Sequence, residues 1–305
     1  MAVPSSGQLG LYSSIGTELG VSQSNVSLRS MSNSAGFSTP DAMSEFYGYS
    51  NALIIQYLVV GAGGGADYNG ASYGGGGGGA GGLLYNTSYS LSSGQTLDII
   101  IGAGAANSDG TSSLFGSIEA FGGGEGDGSP GGSGGGGSYP TTPGGAGVAG
   151  QGNNGGNRGS YGGGGGGGAG QAGQNFGTSG TYNPGDGGNG LAISITGTSI
   201  YYAGGGAGEG SLPYPEYMNR YALPGLGGGG NAFPRNNPIN AGVANTGGGA
   251  AGYYLYSAYR NGGSGIVILR IPTSGYTGIT TGSPTITTVG SDTVLKYTSS
   301  GTYTS

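Results

Sequence analysis

Thirteen acidic and seven basic side chains are the whole ionic inventory of this 305-residue chain, which has no histidine and no cysteine. Those absences exclude a Ser-His-Asp triad, a His-ligated metal, a disulfide framework and a zinc ribbon. What chemistry remains would fall to carboxylates. Gly124-Glu125-Gly126-Asp127-Gly128 matches one turn of a calcium-binding nonapeptide, but the turn does not repeat. Asn107-Ser108-Asp109-Gly110 and Pro184-Gly185-Asp186-Gly187 read as turns. Glycoside hydrolysis needs two carboxyl groups flanking the scissile bond, and no pair here has a supporting context. Gly61-Ala62-Gly63-Gly64-Gly65-Ala66 follows a strand-like run and fits a dinucleotide fingerprint in spacing. A helix should come next; instead the chain continues into Asp67-Tyr68-Asn69-Gly70 and six consecutive glycines from Gly74. The expectation is a protein without catalysis, metal or cofactor.

Binding chemistry is better represented. Tyr214, Tyr217, Arg220 and Tyr221 interrupt the glycine-rich chain together with Pro213 and Pro215. Tyr254, Tyr256 and Tyr259 do so again, and Phe233 and Arg235 lie between the two groups. Rigid Tyr beside adaptable Asn, Ser and Gly is the composition of recognition loops, and Tyr and Arg are favoured anchors. These nine residues are the candidate receptor-binding set. The same tyrosines would also suit a cover over glycine segments or a subunit interface. A net charge of −6 with a single lysine opposes binding to a phosphate backbone, so nucleic acid is not expected.

The material that must position such loops is unusual. The chain has 82 glycines, 71 of them between residues 51 and 265. That is one residue in three, the density of collagen, but the register fails. The series Gly128, Gly131, Gly134, Gly137 ends at Pro140. Pro and Gly without a period usually mean disorder. Strand-like runs at both ends of the block argue against that. Ala52–Val60, Thr96–Ile101, Leu191–Ile195, Ser199–Ala203 and Gly265–Ile271 all read as strands.

For the runs Gly74–Gly82, Gly122–Gly137, Gly144–Gly170 and Gly225–Gly230 the available order is polyproline-II geometry. It has three residues per turn and no internal hydrogen bonds, so every N–H and C=O must find a partner outside its own segment. Rods of bare backbone can approach closely enough to bond to one another, with Asn, Ser, Ala and Gln at 151–175 marking outer rods. The fold class expected is mainly β and irregular: polyglycine-II helices clamped by β-strands, with a short helical N-terminal segment and a C-terminal hairpin.

Residues 1–50 form a first segment of ordinary composition. Met1–Ser6 lacks a basic start and an apolar run, so no secretory signal is read there. No apolar stretch approaches the ~20 residues that span a bilayer, so membrane insertion is not expected. Leu28 and Met31 share one side of a short helical turn. Thr39-Pro40-Asp41 is a helix start that would group Met43, Phe46 and Tyr47 before Gly48. These five apolar residues are the candidate docking set, either for another protein or as a cap on the glycine block. Residues 51–272 form the glycine-rich domain. Residues 273–305 form a Thr-rich tail in which 284–289 and 293–298 alternate around Gly290-Ser291-Asp292, a hairpin that should pair with a body sheet or another subunit.

Two stretches carry a family likeness. Val3-Pro4-Ser5-Ser6-Gly7-Gln8-Leu9, Val26-Ser27-Leu28-Arg29-Ser30-Met31-Ser32 and Ser38 to Tyr49 resemble a leader of tailed-phage virion proteins, especially of marine and cyanobacterial phages. Tyr57–Gly65, Gly79–Gly82, Ile101–Gly104, Ala203–Gly208, Gly247–Ala250 and Gly262–Ile268 resemble the glycine-rich domain of phage tail fibres. The resemblance implies a virion protein assembled in the host cytoplasm and displayed on the particle exterior. It implies docking on other virion proteins through residues 1–50 and loops that grip a host surface protein or glycan. A homo-oligomer follows from the same analogy. The alternative it leaves is a non-catalytic decoration protein of capsid or tail, in which the rods serve as a stiff spike.

Overall fold

The Val/Ile/Leu-rich runs set the frame. A computed structural model describes residues 15, 19, 28–37, 52–67, 74–138, 142–177, 183–210, 221–232, 240–253 and 260–305. Leu28–Ser34 is a helix, α1. The strands are β1 (Leu53–Val60), β2 (Leu83–Leu91), β3 (Thr96–Ile100), β4 (Ser113–Phe115), β5 (Ile118–Ala120), β6 (Leu191–Ile193), β7 (Ile200–Tyr202), β8 (Ile266–Pro272), β9 (Thr285–Val289), β10 (Asp292–Tyr297) and β11 (Gly301–Thr304). They form an antiparallel five-stranded sheet ordered β2-β1-β8-β10-β9, a four-stranded sheet β11-β3-β4-β5 and a hairpin β6-β7.

The five-stranded sheet is covered on both faces at its centre, which is why β1 and β8 read as continuous apolar runs rather than alternating ones. One face carries Ile55, Tyr57, Val59, Val267, Leu269, Ile271, Leu295 and Tyr297 against Leu97, Ile99, Phe115 and Tyr303 of the second sheet. Tyr57, Tyr89 and Phe115 meet there with ring centroids 5.4 to 5.9 Å apart. The other face carries Leu58, Val60, Ile266, Ile268 and Val294 against Ile193, Ile195 and Tyr202. The C-terminal hairpin is present, with Gly290 at φ 61° as the first central residue of its turn and Asp292 already in β10. Through β10 it extends the body sheet alongside β8, while β11 crosses to pair with β3.

The glycine segments are ordered as rods with a period of three. In the rod 163–169, Gly163, Gly166 and Ala169 donate to Glu209, Gly206 and Ala203. Gly164 and Gly167 donate to Gly137 and Gly134, and Gly165 and Gly168 to Gln174 and Gln171. Its carbonyls accept from three further rods: from Gly185 and Gly188, from Gly77 and Ala80, and from Gly156. Donors that advance one neighbour per residue and return every third residue are those of a three-residue-per-turn helix with six neighbours. The rod 74–82 repeats the pattern, donating to 247–253, 164–167 and 121–124 and accepting from 61–64, 133–136 and 206–209. The rods 74–82, 163–169 and 203–209 also bond to one another, so together they form the centre of the lattice.

At the lattice border, side chains take the place of missing rods. The amide oxygens of Gln151, Asn154 and Asn157 accept from the N–H groups of Phe121, Gly147 and Gly144 at 2.9, 2.9 and 3.0 Å. Asp186 and Asn189 accept from Leu223 and Leu226 at 2.8 and 2.9 Å. Both sets are spaced by three, the period of the rod itself. Inside, alanine methyls fill the gaps between rods, as where Ala207, Ala222, Ala232 and Ala251 meet.

Candidate recognition face

The hydrogen-bond register fixes which end of each rod lies where. β1 runs into the rod 61–66, and the rod 260–265 runs into β8. These two rods are antiparallel neighbours, with Gly63 bonded to Gly263 and Ala66 to Arg260. Ala66 and Arg260 therefore lie at the end remote from the sheets. Gly75 bonds to Tyr253, and Glu209 to Gly75, which places Tyr253 and Glu209 at that same end. Ala207 bonds to Gly230, so the rod 225–230 also points there.

Three chain segments leave and return at this end: between Gly210 and Tyr221, between Ala232 and Asn240, and between Tyr253 and Arg260. They are the three segments that carry the candidate receptor-binding residues. Tyr221 is described and 42% exposed. Tyr214, Tyr217, Arg220, Phe233, Arg235, Tyr254, Tyr256 and Tyr259 lie outside the described residues. The register thus brings the bases of all three segments to one face although residues 211 and 259 are far apart in sequence.

Under this face sits a buried ion pair that sequence reasoning did not single out. Glu209 and Arg260 are 1% and 4% exposed, with Oε2 and Nη1 4.0 Å apart. Arg260 also donates to the carbonyl of Gly252, and its guanidinium lies 5.8 Å from the ring centroid of Tyr253. A guanidinium buried among bare backbone needs acceptors and a counter-charge, and the rod ends supply both. The sequence signal was a charged residue inside a glycine run, Gly208-Glu209-Gly210.

An acidic corner occupies another part of the same end, since Gly126 bonds to Gly65. Asp67 accepts from Ser138 Oγ at 2.6 Å, Asp109 accepts from the Glu125 N–H at 2.8 Å, and Asp127 accepts from Ser129 N–H and Oγ. Among the described residues no three carboxylates converge as metal ligands. Burial, followed by the charges of Asp127, Asp67 and Asp109, raises the Glu125 carboxyl to about 7. Burial also raises Asp67, against the opposing bond from Ser138. A carboxyl whose folded pKa is raised takes up a proton on folding, so stability falls as pH rises from about 4.5 to about 7. The melting temperature is expected to be higher at pH 5 than at pH 8, and Glu125→Gln to flatten that slope. An unchanged slope in thermal denaturation would contradict the assignment.

Of the N-terminal docking set, Met31 is fully buried and Leu28 half-buried in α1. Met43, Phe46 and Tyr47 lie outside the described residues. No helix among the described residues is long and apolar enough to cross a membrane.

No curated protein and no solved structure matches the chain. A family model described as a glycine-rich domain matches residues 43–272, from ahead of β1 to the last residue of β8. That span covers the entire rod lattice and the strands that enter and leave it. The chain belongs to the glycine-rich domain family.

Proposed function

We propose that this chain is a non-catalytic attachment protein of a bacteriophage virion, a tail fibre or adhesin tip that binds a host surface receptor through its Tyr-rich segments. The observation that carries the reading is the convergence, on the face remote from the sheets, of the bases of the two Tyr-rich segments and of the segment with Phe233 and Arg235 that lies between them in sequence. A rod lattice suits such a role. Its backbone groups are bonded in three directions and its interior has few side chains to rearrange, so it holds loop bases at fixed separations. A scaffold that pre-orders its binding groups lowers the entropy lost on association. The partner is a cell-surface protein or glycan, and residues 1–50 attach the molecule to other virion proteins.

The test is adsorption. Virions carrying Tyr214→Ala, Tyr217→Ala and Tyr221→Ala together are expected to assemble normally and to lose host-cell adsorption by roughly 100-fold or more, as hot-spot removal implies. Adsorption at the wild-type rate would overturn the reading. Labelled antibody on purified virions separates this location from a capsid or tail decoration.

A further inference from the structure

The two larger sheets have four outer edges, and three are protected. β2 is broken by a register shift opposite Ile55 and Tyr57, and its Ser88 N–H is taken by Asn86 Oδ1. On β5, the Glu119 carbonyl accepts from Gln151 Nε2 at 3.0 Å. On β11, Thr302 accepts from the Thr281 N–H, and Thr304 donates to Ile279. The fourth edge, β9, has no such cover. Its residues are Thr-Ile-Thr-Thr-Val, without a charge, a proline or a glycine. Thr285 to Thr288 are all exposed, Ile286 by 48%. Among the described residues nothing bonds to its outer edge. An uncharged β-branched edge is a template for another strand.

The hairpin decides which groups are offered. Its two-residue turn, Gly290-Ser291, makes Val289 and Asp292 a hydrogen-bonded pair. Alternation then turns Thr287 and Thr285 toward β10 and leaves the N–H and C=O of Ile286 and Thr288 pointing outward. We propose that β9 pairs with β9 of a second copy of this chain, antiparallel about a two-fold axis at Thr287. This register sets each Ile286 opposite Thr288 of the partner subunit, so all the outward groups bond. Shifting the axis to Ile286 would set Thr288 opposite Pro284 of the partner subunit, which has no N–H. Shifting it to Thr288 would set Ile286 opposite Gly290 of the partner subunit, inside the turn. One short strand pair buries less than the roughly 1,000 Å² of a stable interface, so the dimer is reversible. The pairing does not depend on the receptor reading.

Cysteine cross-linking of the full chain tests it cleanly because the chain has no cysteine of its own. At the axis the two Thr287 Cα atoms would be about 4.5 Å apart, within the reach of a disulfide. Thr287→Cys is expected to form a covalent dimer under mild oxidant, roughly ten-fold or more faster than Ile286→Cys, as proximity raises effective concentration. Wild-type protein is expected to show a concentration-dependent monomer–dimer equilibrium by sedimentation. Thr288→Pro, which removes an outward N–H that β10 does not use, is expected to shift it to monomer with melting unchanged. Cross-linking of Thr287→Cys no faster than Ile286→Cys would overturn the proposal. So would a wild type that stays monomeric at all concentrations, a trimer, or a Thr288→Pro dimer of full strength.

Discussion

Gly166→Ala is expected to destabilise the fold strongly, although it adds a single methyl group. Glycine to alanine ordinarily stabilises by restricting the unfolded chain. Here the sign reverses, because a Cβ on Gly166 would fall on the carbonyl oxygen of Gly78. That oxygen is not free to move away, since it accepts the Gly206 N–H at 3.0 Å. The three residues belong to the three rods at the lattice centre, so the strain reaches all of them. Overpacking plus one orphaned buried donor amounts to about 2–6 kcal/mol, a large share of a domain's total stability. Gly150→Ala is the control. Its Cβ would meet nothing within 4 Å, and its φ of 81° leaves only the left-handed penalty of about 1–2 kcal/mol. Thermal melting and soluble yield of the two variants measure the difference. Equal stability would mean that the rods are not held at backbone contact.

Leu269→Ala is expected to cost about 2–5 kcal/mol, and the loss should be felt far from the residue. Leu269 is fully buried at the centre of β8, opposite Tyr57 of β1 and Leu295 of β10. β1 and β8 continue without a break into the rods 61–66 and 260–265. Fixing a glycine backbone is entropically unfavourable, more so than for any other residue. The lattice therefore depends on the sheets that clamp its rods. Hydrogen exchange should show the amides of 163–169 losing protection together with those of β8, in one transition. Lattice amides that stay protected while β8 opens would show that the rods hold themselves.

Much of the architecture was legible in the residues. β1, β3, β8 and the β9–β10 hairpin follow from runs of Val, Ile, Leu and Thr bounded by turn residues. β2 was not, because as an edge strand it buries little of itself, and its Tyr-Asn-Thr-Ser stretch carries no alternation. β4 and β5 are three residues each, too short for a period to be seen. Polar side chains at 151–157 and 171–175 do mark outer rods, but the range read as outer, 151–175, also holds the central rod 163–169, and the finer order of the polar residues went unread. Gln151, Asn154 and Asn157 are spaced by three because each substitutes for one backbone carbonyl per helical turn.

The sequence by itself determined that the body would be built from backbone. With glycine at one residue in three and no collagen register, three-residue-per-turn rods were the ordered state left to it. It also determined where aromatic and basic residues would interrupt those rods. Only the tertiary structure decided which rod lies beside which, and so that Gly210, Tyr221, Ala232, Asn240, Tyr253 and Arg260 share one face. The reason is physical. A glycine rod offers the same donors and acceptors to every neighbour, so nothing local encodes the pairing. The clamping sheets, the Glu209–Arg260 pair and the side-chain acceptors at the border break that degeneracy, and each acts across long stretches of chain.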